Sequence, residues 1–325
     1  MMSRLERIGW IGVGKMGSSM SYRLARQGYP VTVFDPSPTE IERLIAEGGQ
    51  RAASLAELVN ASDLIFITIP NDQALEQIIF GEDGILPALD ESKLIIEMST
   101  LSPALSARVA SALAAAGARY LRAPVSGSTV AAKDGKLTVL ASGDSADYAA
   151  VLPLLSCLSA RQFLVGSAEE ARYLKLVLNL MLAGTAALVG EALTFGEKGG
   201  LSVETMLDVI GESAVASPVL GYKRDMLIRR DFTPAFTVSQ MINDVDLAIN
   251  SANSDHVPMT LSALVRQRYE AARAQGHGSR DFFMLLEQCE RDAGLPREQP
   301  RTLASGRLPR RNAVARAAPA ATRPR

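Results

Sequence analysis

Cysteine and histidine are nearly absent: the 325 residues hold two of each. Cys157 and Cys289 belong to no C-x-x-C pair, so neither a disulfide framework nor a dithiol redox motif is available, and a reducing compartment fits. His256 and His277 lie in the loop contexts SDHVPM and GHGSRD, where a solvated histidine is expected. Two histidines and two scattered thiols do not make up a zinc site, so no metal is expected. Net charge is also small, at −1. The stretch 293–325 holds eight arginines against Glu298, a balance of +7, which leaves −8 on residues 1–292. An acidic body argues against nucleic acid as the main ligand. A membrane-length run is missing as well. The uncharged run 176–190 is fifteen residues, short of the roughly 18–20 needed to span a bilayer, and Asn179, Gly184 and Thr185 interrupt it. It is expected to be a core helix rather than a membrane span. No apolar leader precedes the first strand, so a cytoplasmic protein is expected.

What is present divides in two, as the length leads one to expect. Residues 8–13 are apolar and run into Gly12-Val13-Gly14-Lys15-Met16-Gly17, followed by helical spacing through SSMSYRLARQG. Strand, tight turn and helix give G-x-G-x-x-G its physical context. The glycines let backbone approach a pyrophosphate, and the helix N-terminus offers amide donors. A glycine turn that merely joins strand to helix is the bland alternative. The overlapping Gly9-x-x-x-x-Gly14-Lys15 pattern is not a nucleotide-hydrolase phosphate loop, because Met16 stands where a hydroxyl must bind magnesium. The second strand, VTVFD, ends in Asp35, placed for the adenosine ribose hydroxyls. Pro-Ser-Pro follows it and offers no cation to a 2′-phosphate, which favours NAD over NADP.

Strands at 63–70 and 93–100 continue the alternation, which implies a parallel sheet with helices on both faces. Ligands in such sheets sit beyond the carboxyl ends of strands, which makes Pro70, Ser99 and Thr100 candidate dinucleotide contacts; proline and hydroxyls also end strands for local reasons. A helix at 103–116 follows. The loop 124–129, with Ser126, Gly127, Ser128 and Thr129, offers amides and hydroxyls for a carboxylate, or is an ordinary surface turn. A strand at 161–166 closes a first domain, 1–166. From 167 to 292 only helical patterns follow, and 293–325, rich in proline, arginine and alanine, is expected to be disordered. The architecture is therefore a doubly wound α/β domain followed by an all-α domain, joined through a long helix over 171–190. Lys175 and Asn179, four apart, project from one face of that helix. An ammonium among leucines and small residues is either a catalytic group or a lysine reaching to the surface.

In combination, IGWIGVGKMG, EMSTLSP, APVSGS with Gly135 downstream, the Lys175–Asn179 pair, and Phe236 leading into NDVDLA resemble the β-hydroxyacid dehydrogenases over roughly residues 7–290. The resemblance implies that Lys175 is the catalytic lysine and that Asn179 with Ser126-Gly127-Ser128 contacts the substrate carboxylate. It also implies cofactor contacts at Pro70, Ala74 and Thr100, with Asn243 in the place of a lysine that reaches toward the nicotinamide. Four positions depart from the pattern: Arg122 for Asp, Ser128 for Gly, Leu178 for Asn, and Asn243 for Lys. Ser128 and Leu178 point toward the glyoxylate/succinic semialdehyde reductases, whereas Asp35 does not.

The activity so implied is reversible hydride transfer between NAD or NADP and a small hydroxy acid or semialdehyde, with Lys175 as general acid and base. An ammonium titrating at about 10.4 in water is a poor base near neutrality, and burial beside a cationic nicotinamide lowers it. No Tyr-x-x-x-Lys pair of the short-chain type is present. Two alternatives stand: an NADPH-dependent semialdehyde reductase, and a dinucleotide-binding sensor or scaffold on the same fold. Apolar helices in the second half point to a homodimer or homotetramer.

Overall fold

Three short runs, Ile8–Ile11 (β1), Leu64–Ile67 (β4) and Leu94–Glu97 (β5), are buried at every position. That is the signature of strands covered on both faces of a parallel sheet. In the computed structural model, which describes residues 7–37, 41–46 and 48–295, they join Val31–Phe34 (β2), Gln50–Arg51 (β3) and Arg119–Arg122 (β6). The order is β3-β2-β1-β4-β5-β6, all parallel. Helices Lys15–Arg26, Asp72–Phe80 and Pro103–Ala115 supply the crossovers after β1, β4 and β5. Alternate side chains feed two apolar layers, with Trp10, Phe66 and Ile96 on one face and Ile11, Ile65 and Ile95 on the other. Strand order reverses at β1, since β2 lies on one side of it and β4 on the other. The crevice at that reversal is where open α/β sheets take ligands.

Beyond β6 the sheet changes character. Leu137–Ser142 (β8) runs antiparallel to β6, and Val125–Ser126 (β7) pairs antiparallel with β8. Ser159–Gly166 (β9) lies parallel on β8. The 124–129 segment, expected as an open loop, is thus partly a strand, and Ser128 caps a short helix, Thr129–Asp134. The strands expected at 8–13, 31–35, 63–70 and 93–100 fall where the sequence puts them but end one to three residues earlier, because the residues closing each run leave the ladder, whereas β9 ends at Gly166 as expected and begins two residues before 161.

After β9 the described residues form helices and one isolated antiparallel bridge, Thr237 with Asp281, beginning with Glu170–Lys198, the longest helix. By length and composition alone this helix could cross a membrane. Its buried side instead packs against Val238–Ser254 and Leu285–Asp292, around Leu193, Met241, Ile242, Phe283 and Leu286. Its other side is more open than a core helix requires: Tyr173, Val177, Met181, Leu188 and Phe195 are exposed, the last at 82%. The expectation of a disordered basic tail falls almost wholly outside the described residues, which end at 295.

Candidate active site

The glycine turn after β1 is held by its neighbours. Gly12 has φ +86°, in the region that favours glycine, and a Cβ there would overlap the Thr68 carbonyl. The Gly12 carbonyl accepts from Thr68 Oγ1 at 2.5 Å, which itself accepts from Trp10 Nε1 at 2.8 Å. A Cβ on Gly17 would overlap the Gly12 carbonyl, so that glycine sets how closely helix and turn pack. Gly14 differs, because a Cβ there would meet no atom of the chain within 4 Å. The space beside it is open. Gly14 begins the Lys15–Arg26 helix with no side-chain cap and no acidic residue in the first turn, so Lys15, Met16 and Gly17 bring a helix N-terminus suited to an anion. Asp35, just past β2, accepts from the Val13 amide at 2.8 Å and from the Ser37 amide at 2.8 Å. Its carboxylate is thereby fixed at the lip of the turn. These features fit the pyrophosphate and ribose of a dinucleotide.

The ends of β4 and β5 are laced together along the same edge. The Ile69 amide donates to Ser99 Oγ at 2.8 Å, and the amide and hydroxyl of Ser102 both donate to Asp72. Pro70 is exposed and Thr100 half-buried within this lattice. Ala74 lies in the first turn of the next helix, its amide capped by Asn71 Oδ1 at 2.9 Å.

Lys175 and Asn179 meet as the spacing requires, with Lys175 Nζ donating to Asn179 Oδ1 at 3.0 Å. Asn179 Nδ2 in turn donates to Asp244 Oδ2, from the facing helix Val238–Ser254. That helix is set by a reciprocal cap between Thr237 and Gln240. Asp244 is 8% exposed. Burial pushes its carboxyl up to about 6, against the pull of the Lys175 charge and the Asn179 N–H. Burial lowers the Lys175 ammonium from its usual range, and the Asp244 charge opposes that. Asn243, beside Asp244 in sequence, is exposed.

In the loop before the Thr129–Asp134 helix, Ser126 lies in β7 opposite Thr138, and Gly127 has φ +141°. Ser128 Oγ accepts from the Ala131 amide at 3.3 Å, so one of the hydroxyls expected to cradle a carboxylate also serves as a helix cap.

Sequence reasoning missed two charged pairs. Arg122, read only as a departure from a pattern, pairs with Glu169 just before the long helix and lies over the Tyr120 ring at 4.7 Å. Arg172 and Glu97 form an ion pair with both side chains fully buried. A glutamate closing an otherwise apolar strand and a second cation, three residues before Lys175 on the long helix, were the available signals.

Residues 7–166 match the NAD binding domain of 6-phosphogluconate dehydrogenase. Residues 170–288 match the NAD-binding family of NADP-dependent 3-hydroxyisobutyrate dehydrogenase. The 2-(hydroxymethyl)glutarate dehydrogenase of Eubacterium barkeri is 32% identical over 295 residues, 90% of this chain and 98% of that protein. The 2-hydroxy-3-oxopropionate reductase of Escherichia coli K12 is 30% identical over 284 residues, covering 87% and 97%. The crystal structure of 3-hydroxyisobutyrate dehydrogenase from Salmonella typhimurium superposes with a TM-score of 0.78 at 26% identity, covering 87% of this chain and 99% of that one.

Proposed function

The chain belongs to the β-hydroxyacid dehydrogenase family, and from that premise we propose that it interconverts a small β-hydroxy acid and the corresponding aldehyde, with Lys175 moving the proton. The hydrogen-bonded series Lys175–Asn179–Asp244 carries this reading. A bound nicotinamide dinucleotide supplies the hydride acceptor or donor. Gly12 to Gly17 would hold its pyrophosphate and Asp35 its ribose hydroxyls, and Pro70, Ala74, Thr100 and Asn243 would supply further contacts to it. Asp35 repels a 2′-phosphate, which supports NAD over NADP.

In the oxidising direction a neutral Lys175 takes the hydroxyl proton, and in reduction its ammonium returns one to the developing alkoxide. Burial lowers the amine toward useful basicity, while Asp244 keeps the protonated form accessible. An amide nitrogen carries two hydrogens, so Asn179 retains one N–H for the substrate carboxylate after donating to Asp244. The amides and hydroxyls of Ser126, Gly127 and Ser128 supply the rest of that contact. The relatives' names support a substrate with a carboxylate near a hydroxymethyl or aldehyde carbon. Ser128 and Leu178 favour, as a second reading, a reductase of glyoxylate or succinic semialdehyde.

In this scheme residues 1–166 bind the cofactor and 167–292 complete the substrate site and join subunits. The exposed apolar stripe of the long helix supports a homodimer or homotetramer. A reducing cytoplasm suits the two free cysteines.

Nicotinamide absorbance, followed with NAD and NADP against hydroxyisobutyrate, glycerate, glyoxylate, succinic semialdehyde and tartronate semialdehyde, tests the proposal. Turnover that Lys175→Ala abolishes while dinucleotide binding persists is the expected result. Turnover that survives the substitution would refute the role given to Lys175.

A further inference from the structure

Among the described residues, Arg172 is the charged side chain most completely enclosed on the long helix, at 0% exposure. It reaches away from its own helix to the end of β5. Nη1 donates to the Ser99 carbonyl at 2.8 Å, Nη2 to Tyr120 Oη at 3.0 Å and Nε to Ser106 Oγ at 3.2 Å, while Nη2 also pairs with Glu97. Ser99 is the node of this arrangement. Its amide donates to Glu97 Oε1 at 2.8 Å, its hydroxyl accepts from the Ile69 amide at 2.8 Å, and its carbonyl accepts from Arg172. One guanidinium therefore holds the segment after β5 and, through Ser99, the segment after β4 that carries Pro70.

The geometry reaches further along the chain. In a trans peptide the carbonyl and the following N–H point in opposite directions. With the Ser99 carbonyl turned to Arg172, the Thr100 N–H of the same plane is turned away from it. At its other end Arg172 sits on a helix whose start is fixed on β8, where the Ala171 amide donates to Ser142 Oγ at 3.2 Å and Ser142 Oγ donates to the Ala168 carbonyl at 2.7 Å. Lys175 follows Arg172 by three residues on that helix, a rigid offset of under one turn.

We infer, on the dehydrogenase reading, that Arg172 is a positioning residue: it fixes the distance and angle between the proton-carrying Lys175 and the strand ends that hold the nicotinamide. Net stability does not account for the pair, since a buried ion pair is often no better than well-packed apolar side chains of the same volume. The planar fork does account for it, because four partners on three elements are met at once, which the compact ammonium of a lysine does not do. Hydride transfer at carbon and proton transfer at its oxygen need both groups aligned on one C–O unit, and a displacement near 1 Å lowers such rates about a hundredfold.

The test is the double substitution Glu97→Gln/Arg172→Met, which removes both charges together, with Arg172→Lys as a second variant that keeps the charge and loses the fork. Folding is checked by thermal unfolding and circular dichroism, and NAD affinity by fluorescence titration. In folded variants we expect NAD affinity within about threefold of wild type, kcat lower by about a hundredfold, and a larger primary deuterium isotope effect from deuterated cofactor. A second readout needs no turnover: acetic anhydride labelling of Lys175, by mass spectrometry, should be slowed by NAD in the wild type and not in either variant. A folded variant with wild-type kcat, isotope effect and NAD protection of Lys175 overturns the positioning role. A wild type in which NAD leaves Lys175 labelling unchanged is a different result, and refutes the dehydrogenase reading together with the role drawn from it.

Discussion

Lys175 and Asp244 face one another across a single amide, that of Asn179, whose oxygen takes the ammonium and whose nitrogen gives to the carboxylate. The two charges are coupled. Asp244 is raised from 3.8 to about 6 by burial, so the folded state binds its proton more tightly than the open chain does. Its contribution favours folding fully below about pH 4 and is lost as pH rises through about 6. Asp244→Asn keeps an acceptor for Asn179 and removes the titration. Denaturant unfolding at pH 4.5 and 7 should show wild type losing stability over that interval relative to the variant. The variant should also move the acidic limb of the oxidation pH profile downward, because Lys175 loses the charge that supports its protonation. A limb that stays in place would separate Asp244 from the proton chemistry.

Substitution of Lys175 itself has a different signature. On the proposed function Lys175→Met removes the proton carrier and keeps the bulk, so kcat in both directions should fall by about 10²–10⁴ with NAD affinity changed little. Steady-state kinetics beside a binding titration separates the two. A parallel loss of NAD binding would place Lys175 in cofactor binding instead of proton transfer.

The sequence made the strands, the glycine turn and the Lys175–Asn179 pair legible because each is a local pattern: an apolar run, a turn spacing, a four-residue helical offset. The partners that complete the site are remote in sequence. Asn179 and Asp244 are 65 residues apart, and Arg172 reaches Ser99 across 73; no periodicity carries such information. Ser128 shows the converse limit. Its hydroxyl was legible as a ligand group, but its capping of the Thr129–Asp134 helix depends on where the chain turns after β7.

Asp35 offers a test of cofactor choice. Both its oxygens accept backbone amides, so Asp35→Ala would disturb the turn, whereas Asp35→Asn retains an acceptor for Val13 and removes the charge. The ratio of kcat/KM with NAD to that with NADP should fall about tenfold, or about 1.4 kcal/mol. An unchanged ratio would mean that the carboxylate does not discriminate at the 2′-position.

The Glu97–Arg172 pair makes a prediction about stability separate from catalysis. Glu97→Gln alone leaves a guanidinium in a fully enclosed site without its counter-charge, which should cost about 3–5 kcal/mol. Removing both charges together should cost markedly less. Guanidinium chloride unfolding of the two variants measures the difference, and equal losses would show that burial, rather than the unpaired charge, dominates.

The stripe on the long helix predicts assembly. Tyr173, Val177, Met181 and Leu188 follow steps of four, four and seven residues and therefore share one face, and all four are exposed. Leu261 and Leu264, on the Thr260–Ala272 helix that packs on the same long helix, are exposed at 72% and 63%. Apolar surface of this kind is normally covered by a partner. Met181→Glu with Leu188→Glu would place two carboxylates at the centre of that face, where a subunit contact would have to bury them unpaired. Sedimentation velocity should find the wild type as a dimer or tetramer and the double variant shifted to monomer, with its circular dichroism unchanged. A wild type that sediments only as monomer would leave the stripe a solvated face, and the variant would then differ from it only in charge.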